Sequence, residues 1–184
     1  DYFELVMKTA IKGYYEFMEG KPISVNITEM EQPDVPLWAI WALQQYAKET
    51  SKEECLKKYG KFIRNILQFI EGNHHPNLEL HPNGLLYTNG KDKAVTWMNS
   101  TANGRPVVPR SGYIVEFNAL WYNALCFGAA LAELDGKADQ QQHLLEIAEK
   151  TKQSFLDTFL NEYGYLYDYV DGNMIDWSVR PNMI

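Results

Sequence analysis

Cysteine is scarce in this chain: Cys55 and Cys126 are its only two in 184 residues. Two thiols without metal-ligand spacing build neither a disulfide framework nor a zinc site, and they set the expectation of a reducing, cytoplasmic compartment. Long apolar runs are missing as well. A bilayer span needs about 20 consecutive apolar residues. The most apolar stretch, residues 119–132, is interrupted by Asn123 and reads as a buried helix, with Cys126 a buried thiol inside it. Nor do the 17 basic residues gather into a stripe. Against 24 acidic residues they leave a formal net charge of −7, so the electrostatic footprint of a nucleic-acid binder is absent. No leader peptide is visible, and no membrane partner is implied. The chain opens at Asp1 inside a helical pattern, so its natural start is expected upstream.

What the chain has is apolar and aromatic mass. Hydrophobic residues make up 46% and aromatics 14%, including five Trp and twelve Tyr. Such rings serve either as core or as stacking platforms for a ligand with flat apolar faces, such as a sugar.

Apolar residues at 3.6-residue spacing predict six helices. The first covers residues 2–18. The second starts at Asp34, an N-cap candidate, with Pro36 in its first turn, and runs to about Glu49. The third opens on the capping-box pair Ser51 and Glu54 and stops at Gly72. The fourth covers residues 114–134 and the fifth residues 138–160. A sixth begins near Pro181. Short strands are expected at residues 84–87, between turn signals, and at residues 163–170, where aromatics alternate with Gly and Asp.

Short links join helices two to three and four to five, whereas residues 19–33, 73–113 and 161–180 form long ones. Short links make helical hairpins, and long loops gathered at one end of a scaffold are where function usually lives. Helices two and four are apolar almost all round and are expected to be buried. Helices three and five carry polar faces and are expected outside. Alternating inner and outer helices predict an all-α fold: a partial (α/α)6 toroid, about half of one, with β-hairpins in its long loops. Residues 1–184 then form a segment of one domain whose remaining helices lie beyond 184. A helical repeat array would keep a fixed period, which these long loops break.

Chemistry concentrates around the fourth helix. The loop before it ends in Thr96-Trp97-Met98-Asn99, then Arg105-Pro106-Val107-Val108-Pro109-Arg110-Ser111-Gly112. The helix follows with Val115-Glu116-Phe117-Asn118-Ala119-Leu120-Trp121-Tyr122-Asn123-Ala124-Leu125. These elements resemble the glucosidase domain of glycogen debranching enzymes, which carries Thr-Trp-Met-Asp, Pro-Arg-x-Gly and Val-Glu-x-Asn-Ala-Leu-Trp-Tyr-Asn-Ala-Leu. Asp34-Val35-Pro36-Leu37-Trp38, Tyr167-Asp168 and Arg180-Pro181-Asn182 are similar too.

The resemblance implies an inverting glycosidase that removes α-1,6-linked glucose from branched α-glucan, without a cofactor and without a metal. One carboxyl protonates the leaving oxygen and another activates water. The family's acid is the Asp of Thr-Trp-Met-Asp, and here that position is Asn99. An amide has no proton to donate. The departure leaves three readings: a natural variant with weak or no hydrolysis, an introduced substitution, or another carboxyl, Glu116 or Asp176, in the acid's place. The family's base lies beyond Ile184, so the isolated segment is expected to be inactive. It is also expected to self-associate through the apolar sides of its inner helices.

The expected substrate contacts are Asp34, Trp38, Trp97, Arg110, Glu116, Trp121, Asp176 and Arg180. Several have plainer readings. Glu116 also complements the helix dipole, Trp121 also fits the core, Arg110 and Arg180 also suit salt bridges, and Asp34 also caps a helix. His74, His75 and His81 read as surface residues. Two other functions stay open: an α-glucan-binding domain without hydrolysis, and a helical scaffold for a protein partner.

Overall fold

The computed structural model describes residues 2–27, 29–90 and 92–181. Five helices dominate: α1 (Tyr2–Met18), α2 (Val35–Glu49), α3 (Lys52–Glu71), α4 (Val115–Leu134) and α5 (Ala138–Phe159). Each begins and ends within about a residue of its sequence signals. The sixth expected helix falls almost wholly outside the described residues; Pro181 alone is described there.

The helix starts differ in mechanism. The Ser51 hydroxyl accepts the Glu54 N–H at 3.1 Å, as the capping signature requires. Asp34 does not cap α2 through its side chain and sits in helical backbone geometry. Pro36 explains part of this. It fills one of the first-turn positions whose N–H a cap would accept, and proline has none.

α4 is the buried helix, with thirteen residues inside, and it packs along α5, α2 and α3. α1 closes over α2 and α3 through rings: Phe3 stacks on Tyr46, and Tyr14 and Tyr15 meet Phe62. α2 corrects the sequence expectation. Leu37, Ile40 and Leu43 enter the core, but Trp38 and Trp41 stand 42% exposed and meet edge to face. Its apolar composition therefore serves two faces, of which only one is covered among the described residues.

The strands do more than decorate loops. β1 (Glu79–Leu80), β2 (Leu86–Thr88), β5 (Gly112–Ile114), β6 (Tyr169–Asp171) and β7 (Met174–Ile175) form one antiparallel sheet in that order. β3 (Thr101–Ala102) and β4 (Arg105–Pro106) make a separate hairpin. The five-stranded sheet ties the second and third long loops together. The first joins them where Asn77 Nδ2 donates to the Glu31 carbonyl at 2.8 Å. Fully buried Asn118 of α4 clamps the Leu86 backbone, accepting its N–H at 2.7 Å and donating to its carbonyl at 3.1 Å.

β5 runs straight into α4, and its first residue fixes the junction. Gly112 has φ +81°, and a Cβ there would lie 2.3 Å from the Val170 carbonyl oxygen. Gly112→Ala should therefore cost about 2–4 kcal/mol from left-handed strain and the displaced β6 strand. Urea unfolding measures it, and an unchanged midpoint would contradict this geometry.

Candidate active site

Arg110 lies two residues before β5, so the start of α4 receives a guanidinium from the incoming loop. The side chain is 1% exposed. Its NH1 and NH2 donate to the two Glu116 oxygens at 2.5 and 2.6 Å. Its Nε and NH2 donate to the Asp168 carboxylate at 3.0 and 2.8 Å. Burial works against the charge, yet the two carboxylates hold the Arg110 pKa above its ordinary value. Arg180 joins the other side, donating to Asp168 at 2.8 Å and to Asp176 at 3.3 Å. Burial opposes ionisation of Asp176, but Ser178 and Arg180 hold its pKa below the carboxylate range. The Asp168 carbonyl also accepts the first N–H of α4, from Val115, at 3.1 Å.

Both Glu116 oxygens face Arg110, and Arg110 is enclosed. The pair therefore builds the floor of the α4 start. Asp168 is the hub of the network. The sequence carried it only inside the Tyr167-Asp168 element, and nothing in its local spacing showed that two arginines distant in sequence converge on it.

Asp34 stands at the neighbouring helix start. Burial pushes its pKa up from 3.8 to about 6, and the negative charge of Glu116 adds to the shift, while the Trp38 side chain works the other way. The N-terminal ends of α2 and α4 thus converge, with a proton-holding carboxyl beside an exposed indole. The sign of the linkage is specific. Between about pH 4 and 6 the unfolded chain releases this proton while the folded chain keeps it, so stability falls as pH rises through that window. Asp34→Asn should add about 1–2 kcal/mol at pH 7.5, discounted for its partial exposure, and nothing near pH 4. Urea midpoints at the two pH values check this; equal effects at both would contradict it.

Trp97 and Asn99 stand exposed on the loop before β3. Among the described residues, no hydrogen bond, ion pair or ring contact joins either to the Asp34–Glu116–Arg180 cluster. Met98 N–H donates to Thr96 Oγ1 at 3.2 Å, which turns the chain between them. Trp121 corrects the expectation of a pocket wall: it is 0% exposed, inside the core, because its place on α4 faces the helix packing. His75 corrects another, being buried edge-on against Phe17 and Phe69. Cys126 is only partly buried, whereas Cys55 is enclosed. No group of three His, Cys, Asp or Glu among the described residues is placed to hold a metal ion. No described helix is long and apolar enough to cross a membrane.

The family described as amylo-alpha-1,6-glucosidase matches residues 26–184. The chain belongs to that family. The match takes in every element of the cluster, from Asp34 through Asn99 and Arg110 to Arg180. A comparison with curated proteins gives no match. Membership makes this a glycosidase-type domain of the glycogen-debranching kind.

Proposed function

We propose that this chain forms the acid-side wall of a site that hydrolyses α-1,6-linked glucose at branch points of α-glucan, with inversion. The convergence of Asp34, Trp38 and the Arg110–Glu116 floor at the starts of two helices carries the reading, because it gathers aromatic and carboxyl groups at the loop-bearing end. In this proposal the toroid is completed, and the general base supplied, by residues outside this stretch. A cytoplasmic setting suits two free cysteines.

A second reading is supported by a specific residue. Asn99 offers hydrogen bonds without a proton for the leaving group, which suits glucan binding without hydrolysis. Glucose release from a branched limit dextrin by the full-length protein separates the two. Release supports hydrolysis; binding without release supports the second reading; neither, with the protein folded, removes both.

A further inference from the structure

A cavity of about 490 Å³ lies between residues 73–79 on one side and Tyr87, Thr88, Asn89, Asp92 and Lys93 on the other, and no residue of the Asp34–Glu116–Arg180 cluster lines it. That volume is within the range of small-molecule sites, roughly 300–1,000 Å³. His75 lines it from the core side, its Nδ1 accepting the Asn77 N–H at 3.1 Å. Burial pushes the His75 pKa down to about 4, so this side is neutral at physiological pH. The walls are braced. Thr88 Oγ1 donates to the Asn77 carbonyl at 2.7 Å. The Tyr87 ring stacks on His81 at 4.9 Å, and its hydroxyl donates to Asp171 at 2.9 Å. Asn89, Asp92 and Lys93 complete the lining, and among the described residues they make no hydrogen bond or ion pair.

Charge narrows the occupant. Glu79 and Asp92 against Lys93 leave the lining with one net negative charge at neutral pH, which disfavours phosphate and other anions. Two carboxylates fall short of a hard-cation cage, which takes six or more oxygens for calcium. Amide, carboxylate and ammonium groups around an aromatic edge match a neutral polyhydroxyl, whose hydroxyls both donate and accept.

Position narrows it further. Lys93 precedes Thr96 by three residues, so the cavity wall lies within about 11 Å of chain from the Thr96–Asn99 element. Gly90 pins that wall: a Cβ there would sit 2.0 Å from the Arg110 carbonyl oxygen and 2.5 Å from a Val95 methyl. A sugar in this cavity is held near the acid position without occupying it.

We propose that this cavity is a second saccharide subsite, which holds an uncleaved stretch of α-1,4-linked glucan. The identity of the sugar rests on the α-glucan reading above. Such an anchor raises the local concentration of branch ends on the same polymer.

The test is titration of isotope-labelled protein with maltoheptaose, followed by amide NMR. The amides of Asn77, Thr88, Asn89 and Lys93 should shift, and the Asn89→Ala, Asp92→Ala double variant should bind at least tenfold more weakly with its circular dichroism unchanged. Both side chains are exposed, so folding should survive; if it does not, the wild-type shift map decides alone. No binding, shifts confined to the surroundings of Trp38 and Trp97, or a folded double variant of unchanged affinity would each overturn the subsite. Binding here without glucose release from dextrin removes the hydrolytic reading and leaves the subsite standing. Release without binding here removes the subsite alone.

Discussion

An aspartate at position 99 should raise glucose release from branched limit dextrin by about 10²–10⁴-fold, the usual worth of a positioned proton donor. The measurement belongs in the full-length protein, because the proposed base lies outside this stretch. Asn99 already occupies an exposed turn that Thr96 shapes, beside Trp97. Replacing an amide by a carboxyl there changes shape little and supplies the acid group that the proposed mechanism lacks. The rivals for that role are now unequal. Both oxygens of Glu116 are engaged by Arg110, and Ser178 and Arg180 hold the Asp176 pKa down, so Asp176 offers no proton near neutral pH. Asp34, near 6, does. Asp34→Asn is therefore the decisive companion. If the parent is active, Asp34→Asn abolishes that activity and Asn99→Asp adds nothing, the acid is Asp34 and the assignment of position 99 fails.

The helices were legible because their signals are local. The capping pair at Ser51 and Glu54, the apolar spacing from Leu56 to Ile70 and the stop at Gly72 all lie within a few residues of the backbone they control. The sheet was legible only in part. Residues 84–87 announced a strand, but nothing local says that β5 pairs with β6, nearly sixty residues later. Pairing of that kind depends on how α4 and α5 return the chain, which is a tertiary fact. The second helix shows the converse limit. Composition reported that it is apolar, but composition does not report which face is covered, and Trp38 and Trp41 lie on the open one.

The candidate site was legible as residue types and not as partnerships. Arg110, Glu116 and Arg180 each stood out as charges at helix starts, and Asp176 as a carboxyl in a long loop. Whether they would meet a sugar or one another depended on Asp168, which has no helical or turn signature. Asp34 has the residue type of a cap as well as of a substrate contact. Pro36 and helical backbone geometry remove the capping role, and burial beside Glu116 gives its carboxyl a raised pKa.

The buried charge hub sets the largest effect on stability. Arg110→Met should cost about 3–5 kcal/mol, because it takes from the enclosed Glu116 and Asp168 the guanidinium they share, and among the described residues Arg180 bonds Asp168 but not Glu116. That is a large part of the 5–15 kcal/mol by which a typical domain is stable, so loss of cooperative unfolding at room temperature is an acceptable form of the result. The cause is distinguishable from lost packing. Methionine keeps much of the volume of arginine, and the enclosed carboxylates are the new liability. Adding Glu116→Leu and Asp168→Leu to Arg110→Met removes the two carboxylates that Arg110 served, while Arg180 keeps its bond to Asp176. The triple variant should recover most of the loss in urea unfolding, because a buried ion cluster replaced whole by apolar groups is often nearly neutral. A triple variant as unstable as the single one would mean that the cluster acts through geometry, by holding β5 and β6 against the start of α4, and not through charge balance. Either outcome bears on the site, since the same bonds fix where Glu116 stands and so set the field that Asp34 feels.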